Sequence, residues 1–309
     1  MPTAFVHHGE CRLHDMGAHH PESPARLCAI EDYLLATGIA PHLLEREASL
    51  AQRESIIRVH DSDYFDALAS RRPEHGIVHL DPDTAMCPHS WQAALRAAGA
   101  LVTATDLVMS GEADNAFCCV RPPGHHAERR RAMGFCFFNN VAVGVAHALE
   151  VHRLQRVAIV DFDVHHGNGT EDIFRDDPRV MMVSTFQHPF YPYSGIEGRS
   201  ERMVNVPLAA YSGSREFREA VEQAWRPALH RFEPQLIFVS AGFDAHRDDD
   251  MAMLNLTETD YAWVTRQIRD QSLRSAQGRI VSTLEGGYEL AALARSVAAH
   301  LRVLAGLDA

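Results

Sequence analysis

Residues 156–170 read Arg-Val-Ala-Ile-Val-Asp-Phe-Asp-Val-His-His-Gly-Asn-Gly-Thr. The β-branched apolar start is that of a strand buried on both faces. The run then delivers Asp161, Asp163, His165 and His166 and breaks at Gly167 and Gly169. Buried charges persist only when paired or bound to metal, so this stretch asks for a cation. Side chains alternate faces along a strand, so 161, 163 and 165 are expected to point to one side. Asp163 and His165 are then expected to close on one ion together.

Three more expected strands end in the same manner. Residues 116–120 lead to Gly124, His125 and His126; residues 236–240 to Gly242 and Asp244; residues 279–284 to Glu285, Gly286, Gly287 and Tyr288. Ligands of open parallel sheets bind beyond the carboxyl ends of the strands, so four such endings are expected to face one site.

One imidazole and two carboxylates, from Asp163, His165 and Asp244, suit zinc or another first-row divalent ion with an open coordination position. Such an ion lowers the pKa of bound water and polarises a carbonyl. A lone Asp-x-His is more often a capped turn with a solvated histidine. Asp244, arriving from a different strand end, favours the metal, because unpaired buried carboxylates are costly. His125 and His126 can serve as general acid and base, since imidazole titrates near neutral pH. Adjacent loop histidines are usually surface residues, but these follow Arg-Pro-Pro-Gly at a strand end. Tyr288 is either a donor to a developing oxyanion or an ordinary half-buried tyrosine. The aromatics of 134–140 and Phe190, Tyr191 and Tyr193 suit either an apolar tunnel or the core, and composition does not choose between them.

The elements that must carry these groups follow from periodicity. Short strands are expected at 4–7, 116–120, 156–160, 180–184, 236–240 and 279–284. Ser23 and Pro24 start a helix ending near 35; 53–70 holds two short helical pieces; 79–84 is a turn-rich loop with two carboxylates. Further helices fit at about 90–109 (closed by Gly111), 140–151, 214–232, 257–276 and 289–304. Alternation of strand and helix implies an α/β fold with a parallel sheet covered on both faces. With no repeat, linker or low-complexity segment, residues 1–309 are expected to form a single domain.

The 309 residues, 46% hydrophobic and 23% charged, have the make-up of an ordinary globular protein. A formal charge of -12 argues against general nucleic-acid binding. It fits a cationic substrate or partner, and it fits plain solubility equally. The six cysteines show no C-x-x-C pair, so reduced, buried thiols are expected. No signal peptide and no apolar run of membrane-spanning length is evident, which makes a cytoplasmic protein without membrane contact the expectation.

At Arg121-Pro-Pro-Gly-His-His-Ala127, Gly134-Phe-Cys-Phe-Phe-Asn-Asn140, Asp161-Phe-Asp-Val-His-His-Gly-Asn-Gly-Thr170, Ser240-Ala-Gly-Phe-Asp244 and Glu285-Gly-Gly-Tyr288, the sequence resembles the histone deacetylase superfamily. That superfamily includes bacterial acetylpolyamine amidohydrolases and acetoin-utilisation proteins. His20-Pro-Glu-Ser-Pro-Ala-Arg26 also looks similar, and the Pro-Pro-Gly-His-His form resembles the class II and bacterial branch.

The resemblance implies an arginase/deacetylase-like three-layer α/β/α fold with about eight parallel strands. It implies zinc (or iron(II) in the cell) on Asp163, His165 and Asp244, with water as fourth ligand. His126 would be the general base, His125 its electrostatic or proton-donating partner, and Tyr288 the residue that polarises the acyl carbonyl. Asp161 would support His125 and, with Ser184, hold a structural potassium ion; Asn168 would contact His126. A carboxylate partner favours imidazolium more than an amide does, so His126 is expected to be the easier of the two to keep neutral. Gly134, Phe135, Tyr191 and Met251 would line the substrate tunnel.

The departure from the family lies at Arg247-Asp-Asp-Asp-Met251, where Asp248 and Asp250 stand in place of a glycine and a proline. Met251 occupies the gating position that is glutamate in polyamine-selective members. The reaction implied is hydrolysis of an acylated lysine, in a peptide or protein, by metal-activated water. A small acylated amine such as an acetylpolyamine is the alternative substrate, and a silent acyl-binding module the remote one. A homo-oligomer is compatible with the sequence.

Overall fold

The computed structural model describes residues 2–197 and 200–308. In chain order the elements of the first half are β1 (Thr3–His7), α1 (Ala25–Ala36), β2 (Leu43–Glu47), α2 (Arg53–Ile56), α3 (Ser62–Ser70), β3 (Val78–His79), β4 (Ala85–Met86), α4 (Ser90–Ser110), β5 (Asn115–Cys119) and α5 (Asn140–Glu150). The second half supplies β6 (Val157–Asp161), α6 (Asn168–Phe174), β7 (Val180–Gln187), β8 (Met203–Leu208), α7 (Ser214–Ala220), α8 (Arg226–Phe232), β9 (Leu236–Ala241), α9 (Glu258–Ser275), β10 (Ile280–Leu284) and α10 (Leu290–Leu304).

Eight strands form one sheet in the order β2-β1-β5-β10-β9-β6-β7-β8, and every pairing is parallel. β3 and β4 make a separate antiparallel pair. The two helical layers can be assigned from one strand. Successive residues of β5 point to opposite faces: the Phe117 ring meets His300 of α10 edge-on, while the Cys118 thiol donates to the Ala100 carbonyl of α4. α10 packs on α1 and α9, and α4 packs on α5, so the sheet lies between these groups. This is the expected α/β/α architecture.

β5, β6, β9 and β10 are buried along their whole length, as their near-continuous apolar sequences require. The two strands of the eight-stranded sheet that periodicity does not reveal, β2 and β8, are its edges. β2 reads Leu-Leu-Glu-Arg-Glu and is half exposed, and β8 contains Pro207, which an edge tolerates because its outer side needs no ladder hydrogen bond. The helix expected over 214–232 is interrupted by a wider-turned segment at 221–225 that buries Trp225. α6 has no counterpart in the sequence reading.

Two compositional expectations need correction. Five cysteines are buried, but Cys28 is exposed on α1. α4 is long and apolar enough to cross a membrane by composition, yet 61% of its most apolar window is buried and it packs on α5 and β5. Its apolarity serves the core.

Candidate active site

β6 ends at Asp161, so Asp163 and His165 do not extend a strand face as expected; they lie on the loop that follows. The carboxylates themselves turn the chain off the strand. The Asp163 N–H donates to Asp161 Oδ1 (3.1 Å), the His165 N–H to Asp163 Oδ1 (2.8 Å), and the Val164 N–H to Asp244 Oδ1 (2.9 Å). The Gly286 N–H holds Asp163 Oδ2 at 2.8 Å.

This folding back brings the three expected ligands together. One donor atom each from Asp163, His165 and Asp244 lies within 4.8 Å of the others, and all three residues are buried. His165 Nδ1 is 3.0 Å from Asp163 Oδ1 and 3.3 Å from Asp244 Oδ2. Asp244 Oδ2 is a buried oxygen with no hydrogen-bond partner among the described residues. Burial and the neighbouring Asp163 push the Asp244 carboxyl up to about 6. Burial resists charge on His165, yet the two carboxylates outweigh it and raise the ring to about 9. A proton thus stands where positive charge is wanted, and the donor set fits a divalent first-row ion with an open position.

His125 and His126 lie side by side, ring centroids 4.1 Å apart, with different partners. His125 Nδ1 is 3.1 Å from Asp161 Oδ2; His126 Nδ1 is 2.7 Å from Asn168 Oδ1. Burial opposes charge on His125, but Asp163 and Asp161 prevail and push it up to about 10. His126 is held well below its usual value, by burial first and then by the positive rings of His125 and His165. The expected ordering of the two rings is therefore present, but burial and the neighbouring positive rings produce it, while the Asn168 hydrogen bond pulls His126 the other way. Because an amide oxygen only accepts, His126 carries its proton on Nδ1 and leaves Nε2 as a base.

Tyr288 is partly exposed, and its ring edge meets Phe135 at 5.9 Å. Burial of the phenol and the nearby Asp244 raise its pKa well above the usual value, so it remains an O–H donor. The glycine before it but one is dictated by crowding: a Cβ on Gly286 would lie 1.9 Å from Asp244 Oδ2 and 2.6 Å from Asp163 Oδ2. Gly134 has φ +56° and faces the His126 ring, which its Cβ would approach to 2.4 Å. Phe135 adopts φ 69°, costly for an aromatic residue, and its N–H is held by Thr84 Oγ1 at 3.0 Å.

A cavity of ≈ 150 Å³ opens onto these groups. Its walls include Gly134, Phe135, Tyr191 and Met251, the four residues expected there, and also Phe190 and Asp83. His125, His126, His165 and Tyr288 line it as well. Phe190 stacks on His165 at 5.5 Å, and Tyr191 meets His126 edge-on at 5.2 Å. Asp161 and Ser184 are register partners on β6 and β7, and the buried Ser184 Oγ has no hydrogen-bond partner among the described residues. An orphaned hydroxyl beside a buried carboxylate fits a monovalent cation site. His166, assigned no part in the chemistry, bonds Ser194 and Glu171 instead.

Sequence reasoning missed the supports. Glu285 Oε2 accepts the N–H of Gly124 (2.7 Å) and of His125 (3.2 Å), fixing the histidine pair. Burial pushes that carboxyl up to about 7. Asp249 accepts the N–H groups of Tyr288, Glu289 and Met251. Glu22 pairs with Arg121 and Arg26, and Arg26 donates to the Gly287 carbonyl at 2.6 Å while its guanidinium lies over the Tyr288 ring. Apart from Glu22 with Arg26 and Asp249 with Met251, four and two positions apart, the partners are distant in the chain, so spacing carried no signal for these pairs.

The family model described as histone deacetylase domain matches residues 20–304. A Pseudomonas aeruginosa protein named histone deacetylase-like amidohydrolase is 38% identical over 312 residues, covering 93% of this chain and 81% of its own. The Mus musculus polyamine deacetylase HDAC10 is 35% identical over 333 residues, covering 99% of this chain and 48% of its own. Among solved structures, the HDA15 HD domain superposes with a TM-score of 0.91 at 32% identity, covering 100% of this chain and 91% of that one. With the expected motifs gathered at one end of the expected sheet, these likenesses place the chain in the histone deacetylase family, as a hydrolase of amide bonds.

Proposed function

We propose that this protein is a zinc-dependent deacylase that hydrolyses the amide of an acylated lysine or lysine-like amine. The observation that carries the reading is the narrow cavity walled by Phe135, Phe190 and Tyr191 and floored by His126, His165 and Tyr288. Flat aromatic walls suit an extended aliphatic chain, and the polar floor suits the amide at its end. Asp163, His165 and Asp244 would hold the metal, which supplies Lewis acidity towards water and the acyl carbonyl when bound.

The remaining work falls to side chains. His126 Nε2 takes the proton of the attacking water. The Tyr288 hydroxyl donates to the carbonyl oxygen as it gains charge. His125, protonated through Asp161 and Asp163, gives its proton to the amine nitrogen as the C–N bond breaks. The products are a carboxylate and a free amine. Asp161, Ser184 and adjacent backbone oxygens would hold potassium as a structural ion.

Acetylpolyamine hydrolysis is the second reading, favoured by Asp83 in the cavity wall and by the exposed Asp248 and Asp250. Met251, an apolar residue at the gating position, supports the lysine reading instead. A panel varying acyl length and amine, with zinc or iron(II) defined, tests both. Higher kcat/KM on acyl-lysine peptides supports the first reading, and higher values on acetylpolyamines overturn it for the second.

A further inference from the structure

A second set of metal-type donors lies away from the cavity, on the α4–α5 helix pair. His147, in the last turn of α5, and His152, just past its end, both direct Nε2 at Asp106 Oδ1 of α4, each at 2.7 Å. One donor atom from each residue lies within 4.8 Å of the others. We propose that Asp106, His147 and His152 form a peripheral binding site for a divalent first-row transition ion, distinct from the catalytic centre.

Three features support it. The donor set is two imidazoles and one carboxylate, which suits zinc, nickel or copper and not the all-oxygen preference of magnesium or calcium. Tetrahedral zinc with ligands at ~2.0–2.1 Å sets its donor atoms about 3.4 Å apart. The present 2.7 Å contacts reach that spacing by small side-chain rotations, because the Asp106 side chain is 53% exposed and His152 is 23% exposed. The same exposure gives an entry path and leaves room for water ligands, while His147, at 10%, anchors the inner side.

The site joins two helices whose order in the chain is far apart. α5 begins at Asn140, and the Asn139 side chain that caps it donates towards the carbonyls of His125 and Ala127. His147 is seven residues further along, about 10 Å of helical rise. An ion here clips the far end of α5 to α4 without touching the cavity lining. Its effect is on stability: a ligand bound only by the folded chain raises the melting temperature.

Zinc titration of the intact protein, followed by metal analysis after gel filtration, tests the assignment. Two zinc ions per chain are expected for the natural protein and one for His152→Ala, with the rate of amide hydrolysis within twofold in both. Zinc is also expected to raise the Tm of the natural protein further than that of His152→Ala. Asp106→Asn, at an exposed carboxylate, provides a second variant with the same expectation. Binding of one zinc by the natural protein, or of two by His152→Ala, overturns the proposal.

Discussion

Asp249 Oδ2 accepts the backbone N–H of Tyr288 at 2.6 Å, tying the gating loop to the residue proposed to polarise the acyl carbonyl. The same carboxylate accepts from Glu289 at 3.0 Å and, through Oδ1, from Met251 at 3.0 Å. Asp249 is buried, while the three donors lie on half-exposed residues. The triple-aspartate stretch, where the family pattern departs, thus keeps one carboxylate inside as a clamp and leaves its neighbours Asp248 and Asp250 exposed. Asp249→Asn removes one acceptor and turns an N–H donor towards an N–H. A hydrogen bond to a charged group contributes ~1.5–3 kcal/mol, so kcat is expected to fall at least about tenfold. Zinc affinity is expected to stay unchanged, and a matching loss of zinc would show that the clamp serves the metal instead.

The tandem histidines give a prediction about pH. His126 is useful when neutral, and Asn168 is its Nδ1 partner. Asn168→Asp puts a carboxylate there, which favours imidazolium and raises the His126 pKa. A base is lost as pH falls through its pKa, so the acidic limb of kcat/KM is expected to move to higher pH. An unmoved limb in steady-state profiles counts against His126 as the base.

His125 works in the opposite sense, as an acid that must be protonated. Its pKa is pushed up to about 10 by Asp163 and Asp161 against the effect of burial. In metal-free protein, the ring is expected to stay protonated through neutral pH and to lose its proton near 10 in histidine NMR titrations. Zinc on Asp163 cancels part of that pull, so added zinc is expected to lower the value.

The metal reading is tested directly by chelation. Removal of the ion is expected to abolish hydrolysis, and zinc or iron(II) to restore it. Asp244→Asn, which removes one carboxylate charge from the trio, is expected to weaken zinc binding at least tenfold and to cut activity in proportion. Full turnover by metal-free protein would end the assignment.

Gly286 gives a steric prediction. Its Cβ would overlap Asp244 Oδ2, so Gly286→Ala must displace the carboxylate proposed as a ligand. Overpacking of this kind costs ~1–3 kcal/mol, and a Tm drop with weakened zinc binding is expected. Natural stability together with natural zinc affinity would show that the loop yields without cost.

The central strands were legible because strands buried on both faces must be continuously apolar, as Val157 to Val160 and Leu236 to Val239 are. The edge strands β2 and β8 were hidden because half-exposed strands share their composition with loops. The 161–170 stretch announced a cation, since clustered carboxylates and imidazoles at a strand end have few other stable arrangements.

By itself the sequence determined the family, the sheet's central strands and the candidate residues for the chemistry, since these depend on residue type and local period. Only the tertiary structure decided how they meet. Asp163 and His165 reach Asp244 on a loop turned by carboxylate-to-backbone hydrogen bonds, not on a strand face. Glu285 under His125, Asp249 under Tyr288, and Asp106 with His147 and His152 join segments about 40 to 160 positions apart, and no sequence period reports contacts made across a folded core.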